Sequence, residues 1–120
     1  MTNYKSLQAW KKSMLLVKTI YLLCKNYPKE ELYSLTSQTK RACVSVPANI
    51  AEGHGRRSAK DSLQFLYISR GSLYEVETLV NIAVMIGFLE EEKYESISKE
   101  TDECLRLLNG LINHFEKKLL

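Results

Sequence analysis

Histidines, cysteines and serines are the first places to look for chemistry in this chain, and none has the company a reaction needs. His54 and His114 are the two histidines, and neither has a second histidine or a carboxylate three or four residues away. A helical metal site needs that spacing, and a general base needs a positioned partner. His54 lies between Gly53 and Gly55 and reads as an exposed loop residue. Cys24, Cys43 and Cys104 form no C-x-x-C pair, so neither a zinc site nor a redox motif is indicated. They read as buried free thiols of a reducing, cytoplasmic compartment. Ser45, Ser62, Ser69 and Ser72 lack a G-x-S-x-G setting. The stretch G-H-G-R-R-S at residues 53–58 lacks the spacing of a phosphate-binding loop. The residue types therefore predict no enzyme, no cofactor and no metal.

The cations are more informative. Arg56, Arg57 and Lys60 cluster around one expected loop and helix start, where backbone N–H groups would add to an anion site. Lys11 and Lys12 are a second basic pair, and Lys18, Lys25, Lys40, Arg41 and Arg70 are dispersed. Net charge is +3, but residues 1–70 carry 12 Lys+Arg against 4 Asp+Glu, and residues 71–120 carry 5 against 10. One meaning is a basic surface for RNA, DNA or an acidic protein. The other is attraction between the two halves, within one bundle or across subunits. The basic residues are read as having no aromatic platform interleaved with them, so base stacking is not expected.

These residues need elements to hold them. The chain has 120 residues, 45% hydrophobic, with only five glycines and two prolines, which favours one domain over residues 1–120 built of long helices. No apolar run approaches the roughly 20 residues needed to span a bilayer, and the N-terminus has no signal-like pattern.

Apolar periodicity predicts four helices at about 6–26, 29–53, 58–87 and 90–118. The first carries the stripe Leu7, Trp10, Met14, Val17, Tyr21, Cys24, with Ser6 as its cap and Leu15, Leu16, Leu22 and Leu23 widening the apolar face. The second carries Leu32, Leu35, Thr39, Ala42, Cys43, Val46 and Ile50, and Pro47 inside it predicts a kink. Gly53 and Gly55 are expected to end that helix in the left-handed conformation. The third is apolar on two faces and opens at Ser58, with Asp61 three residues on. The fourth carries Tyr94, Ile97, Thr101, Cys104, Leu108, Leu111, Phe115 and Leu119. Short connections make sequential helices antiparallel neighbours. The fold class is all-α, an up-down-up-down antiparallel four-helix bundle with its second helix kinked at Pro47.

One polar line interrupts this pattern. Arg41, Ser45, Asn49 and Glu52 are spaced 4, 4 and 3 on the second helix, so they share a narrow face. It is either a solvated flank or a structural seam against the third helix, with Arg41 meeting Glu75 or Glu77.

The segments LQAWKKSMLLVKTIY (7–21), YPKEELYSLTSQTKRACVSVPANIAEGHGRRS (27–58) and FLYISRGSLYEVETLVNIAVMIGFL (65–89) resemble the 23S rRNA intervening-sequence proteins, also called S23 or four helix bundle proteins. The N-I-A-E-G of residues 49–53 and the G-S-L-x-E of residues 71–75 are the most specific parts, and residues 90–120 match in pattern only. The resemblance implies a bacterial four-helix bundle assembled as a ring-like homopentamer. It also implies kinship with the accessory proteins of diversity-generating retroelements, basic pentamers that bind nucleic acid and a reverse transcriptase. Residues and resemblance together give the expectation of a non-enzymatic, oligomeric nucleic-acid binder, with a protein-interaction scaffold as the alternative.

Overall fold

A computed structural model describes residues 3–120; residues 1 and 2 of the expected domain lie outside the described residues. Four helices make up the fold: α1 (Gln8–Cys24), α2 (Leu35–His54), α3 (Ala59–Met85) and α4 (Glu91–Lys117). Each packs on its neighbours in sequence, and α4 closes the ring onto α1, while the diagonal pairs α1–α3 and α2–α4 stay apart. The result is an antiparallel up-down-up-down bundle of 46 × 25 × 23 Å.

The ends of the helices follow local chemistry. A 3-10 turn at Tyr4–Ser6 precedes α1, with the Asn3 side chain accepting from the Lys5 N–H at 2.7 Å. The Ser6 hydroxyl donates back to the Asn3 carbonyl. It is thus spent on the turn rather than capping α1, which starts two residues later. Ser58 caps α3 by accepting from the Asp61 N–H at 3.1 Å.

The start of α2 differs more from the periodicity. After Pro28 the chain makes a 3-10 turn at Lys29–Glu31. Ser34, with φ −127° and ψ −102°, breaks the helical run before α2 begins at Leu35. The Ser34 hydroxyl donates to the Glu31 carboxylate at 2.8 Å. This jog turns Leu32 and Tyr33 outward, leaving Tyr33 91% exposed.

The core face of α1 is also rotated from the expected stripe. Ala9, Ser13, Leu16, Ile20, Leu23 and Cys24 are buried, whereas Met14 and Tyr21 are exposed. Two stripes of 3/4 spacing, offset by one or two residues, compete on this helix. The inner one wins because Ala9 and Ser13 let neighbours approach, and because Tyr21 keeps its hydroxyl at the surface. On α3 the stripe Leu66, Leu73, Val76, Val80, Ala83 is buried, while Ile68 and Ile86 of the second stripe stay exposed. On α4 the buried line is Ile97, Thr101, Cys104, Leu108 and Ile112.

Gly53 does not terminate α2 through a left-handed backbone. Among the described residues only Gly87 has positive φ, at 86°, and Gly55 caps α2 at φ −85°. Gly53 is buried inside the last turn because α3 passes over it. A Cβ there would lie 3.0 Å from the Ser62 carbonyl oxygen and 3.2 Å from Phe65 Cβ. Gly110, exposed on α4, would meet nothing within 4 Å. Gly53→Ala is therefore expected to destabilise the bundle by about 1–3 kcal/mol through overpacking. Gly110→Ala is expected to stabilise it by up to about 1 kcal/mol through helix propensity. Urea unfolding of both variants checks the opposite signs.

Candidate nucleic-acid interface

Antiparallel packing brings the start of α1, the end of α2, the start of α3 and the end of α4 to one end of the molecule. That end collects Lys5, Lys11, Lys12, Arg56, Arg57, Lys60, Lys117 and Lys118, all exposed. The 3-10 turn at Tyr4–Ser6 reaches the end of α2, and Tyr4 lines an open cavity of about 380 Å³ there with Glu52, Gly55 and Arg56. The opposite end holds Glu30, Glu31, Glu90, Glu91, Glu92 and Glu95. The basic end also holds Glu52, Asp61 and Glu116, and the opposite end Lys25, Lys29 and Lys93, so each end carries an excess of one sign rather than one sign alone.

Not every cation at the basic end is available. The Arg56 guanidinium pairs with the Glu52 carboxylate at 2.6 Å and lies 4.3 Å from the centre of the Phe65 ring. It tethers the end of α2 to the start of α3, so it does local structural work that its place in the expected loop did not suggest. Lys12 faces Glu103 of α4 and helps hold that carboxyl below its usual range, after the larger effect of the Arg106 hydrogen bond. Arg57, Lys60 and Lys11 form no ion pair among the described residues.

The polar line on α2 divides. The Asn49 amide donates to both the carbonyl and the hydroxyl of Ser45 at 2.9 Å, and the Ser72 hydroxyl of α3 donates to Ser45 Oγ at 2.8 Å. One turn deeper, the Ser69 hydroxyl donates to the Val46 carbonyl at 2.8 Å, in a fully buried position just before Pro47. Glu75 accepts from Gln38 at 3.3 Å, not from Arg41. Glu77 is not met by Arg41 either; it is half-buried toward α4, where burial and Asp102 raise its carboxyl above the usual range. The reason is angular: Arg41 sits about 60° around α2 from Gln38. Arg41 is exposed on the α1 side of α2 and makes no hydrogen bond or ion pair among the described residues. Glu52 belongs to the Arg56 pair.

Burial also shifts the three cysteines. Burial pushes the Cys43 and Cys104 thiols up to about 12, with neighbouring charges adding to it. Cys24 is raised by burial against the opposing pull of Lys40. Such thiols are protonated and inert. His54 is the last residue of α2 and half-buried, rather than a loop residue. No group of three or more His, Cys, Asp or Glu able to hold a metal occurs among the described residues, and no helix there is long and apolar enough to cross a membrane.

Residues 5–110 match the family described as 23S rRNA-intervening sequence protein. The chain belongs to that family. Among solved structures it is similar to a protein of unknown function from the S23 ribosomal protein family of Bacteroides thetaiotaomicron, with 26% identity and a TM-score of 0.79. The similarity covers 87% of this chain and 97% of the other. No curated protein matches the sequence. In this member of the 23S rRNA-intervening sequence family, N-I-A-E-G supplies Asn49, Glu52 and Gly53, and G-S-L-x-E supplies Ser72 and Glu75. Asn49 and Ser72 meet at the Ser45 hydroxyl, which lies outside both motifs, while Gly53 faces Ser62 and Phe65 of α3 and Glu75 accepts from Gln38.

That geometry separates fastening residues from surface ones. Ser69→Ala removes a buried hydrogen bond and is expected to lower stability by about 1 kcal/mol. Arg41→Ala is expected to melt within about 0.5 kcal/mol of wild type, as exposed sites do. Thermal denaturation of both proteins decides the assignment.

Proposed function

We propose that this protein is a non-enzymatic homo-oligomer that binds the nucleic-acid backbone through its basic end. The observation that carries the reading is the convergence of four helix termini into one cationic cap, while acids gather at the other end. Phosphate binding depends on several cations acting together, because each neutralised phosphate releases counterions. Arg57, Lys60 and Lys11 are the principal contacts, joined by Lys12, Lys117 and Lys118. Arg56 holds the loop that presents them.

Exposed apolar side chains support self-association. Leu15 and Leu22, 56% and 53% exposed, flank α1 toward α4, whereas Ile68, 52% exposed, lies on α3. Two separate apolar faces suit a head-to-tail ring such as a homopentamer, which would repeat the basic cap around one rim. The same apolar faces favour the second reading, a scaffold that meets a protein such as a reverse transcriptase. That reading predicts capture of a protein partner and no RNA binding at low salt.

The double variant Arg57→Ala/Lys60→Ala is expected to weaken binding equally across RNA sequences. It should flatten the log–log salt slope by up to about 2 and leave the melting temperature unchanged. Wild-type protein that binds no RNA or DNA at low salt sinks the proposal. Light scattering at micromolar concentration is expected to show several times the 13.8 kDa chain mass, and a monomer ends the assembly reading.

A further inference from the structure

The outer face of α1 and the groove between α1 and α2 carry a pattern that the basic end does not explain. Lys11, Met14, Lys18, Tyr21 and Lys25 are spaced 3, 4, 3 and 4, which keeps them within about 80° of arc on one face. All five are exposed. The three lysines recur every seven residues, about 10.5 Å apart, and none is ion-paired among the described residues. This row starts at the basic end and runs the length of α1. It leads to a groove of about 460 Å³ lined by Tyr21, Tyr33, Thr36, Lys40, Arg41 and Val44.

The groove is dressed for a ligand that is both planar and anionic. Tyr33 is held out by the jog at Ser34 and is 91% exposed. Its ring contributes almost nothing to the core and is open to stacking. Lys40 sits 4.7 Å from the centre of the Tyr21 ring, which holds its ammonium at the groove wall. Arg41 lines the groove with no ion pair among the described residues. Thr36 lines it too, only 4% exposed, with a buried hydroxyl that has no hydrogen-bond partner. The nearest acids in sequence, Glu30 and Glu31 of the preceding 3-10 turn, keep their charge but do not line the groove, and the Glu31 carboxylate accepts from the Ser34 hydroxyl.

We propose that this face is a track for single-stranded nucleic acid, with a base stacked on Tyr33 and phosphates against Lys40, Arg41 and the α1 lysine row. This rests on the nucleic-acid reading above and assigns it a second site. Cations interleaved with an aromatic platform are what single strands require, since every unpaired base offers a ring face. A duplex keeps its bases stacked internally and has no use for Tyr33.

The test measures fluorescence anisotropy of a labelled oligo-uridine and of a hairpin duplex of matched charge against wild type, Tyr33→Ala, Tyr33→Phe and Arg57→Ala/Lys60→Ala. Tyr33→Ala is expected to weaken single-strand binding about 5- to 100-fold, to leave duplex affinity unchanged, and to keep the wild-type mass in light scattering. Tyr33→Phe should bind the single strand as wild type does. Wild-type single-strand affinity in Tyr33→Ala overturns the track, yet leaves the basic-end reading standing if the Arg57/Lys60 variant is weakened. Equal losses on single strand and duplex also overturn it. A fall in mass for Tyr33→Ala makes the face a contact with a second copy and overturns it as well. Absence of all binding by wild type removes both readings together.

Discussion

Space for one hydrogen atom, and no more, separates Gly53 from the start of α3. The place where a Cβ would stand is 3.0 Å from the Ser62 carbonyl oxygen and 3.2 Å from Phe65 Cβ. This close approach sets the distance at which the rest of the α2–α3 contact must work. It lets Ser69 reach the Val46 carbonyl and Ser72 reach Ser45, each at 2.8 Å. Those bonds lie beside Pro47, whose ring removes the donor that the Cys43 carbonyl would use in a regular helix. Buried polar atoms are tolerated when they find partners. Here the α3 hydroxyls bond the Val46 carbonyl and the Ser45 hydroxyl, and so tie α3 to the residues beside Pro47 without reaching the Cys43 carbonyl itself.

The same contact governs where the charge goes. The short Gly55–Ser58 link and the Arg56–Glu52 pair turn the chain back tightly, so α3 starts beside the end of α2. Chain termini and loops then sort to two ends of a 46 Å body. Cations at the ends of α2 and α4 suit the helix dipoles, whereas Lys60 and Lys11 sit in the first turns of α3 and α1, where the dipole disfavours them. Glu90, Glu91 and Glu92 at the start of α4 are in the favourable sense. Lys12 is compensated in part by Glu103 of α4, and Lys60 shares the first turn of α3 with Asp61.

Along α1 and α2 the surface departs from a plain solvated face. Exposed Met14 and Tyr21 alternate with lysines along α1, Lys40 of α2 lies over the Tyr21 ring, and Tyr33 stands at the groove beyond them. The jog at Ser34 is the local cause for Tyr33: a helix running straight on from Lys29 would have turned that ring to a different side of α2. A small backbone irregularity between a proline and a serine therefore decides whether the groove has an aromatic wall.

The four helices, their order and their antiparallel pairing were legible in the residues, because apolar spacing of 3 and 4 over long stretches marks helices and short connections make sequential helices antiparallel neighbours. The polar line on α2 was legible as a line. Its division into a half-buried Ser45–Asn49 fastening and an exposed Arg41 was not, since 60° of rotation about a helix depends on which neighbour packs against it. Periodicity on α1 fitted two overlapping stripes, and only the bundle selected Ala9, Ser13, Leu16 and Ile20 for the core. Gly53 looked like a stop signal, whereas its role is a packing clearance set by a helix ten residues further along. Tyr33 and Arg41 are eight residues apart and separated by a break in the helix, so no spacing rule joins them. Sequence determined the helices and the inventory of charge through local propensity and hydrophobic period. Tertiary structure alone decided which cations share an end, which are already paired, and which stand beside an open aromatic ring, because those relations are set by distances between helices and not along them.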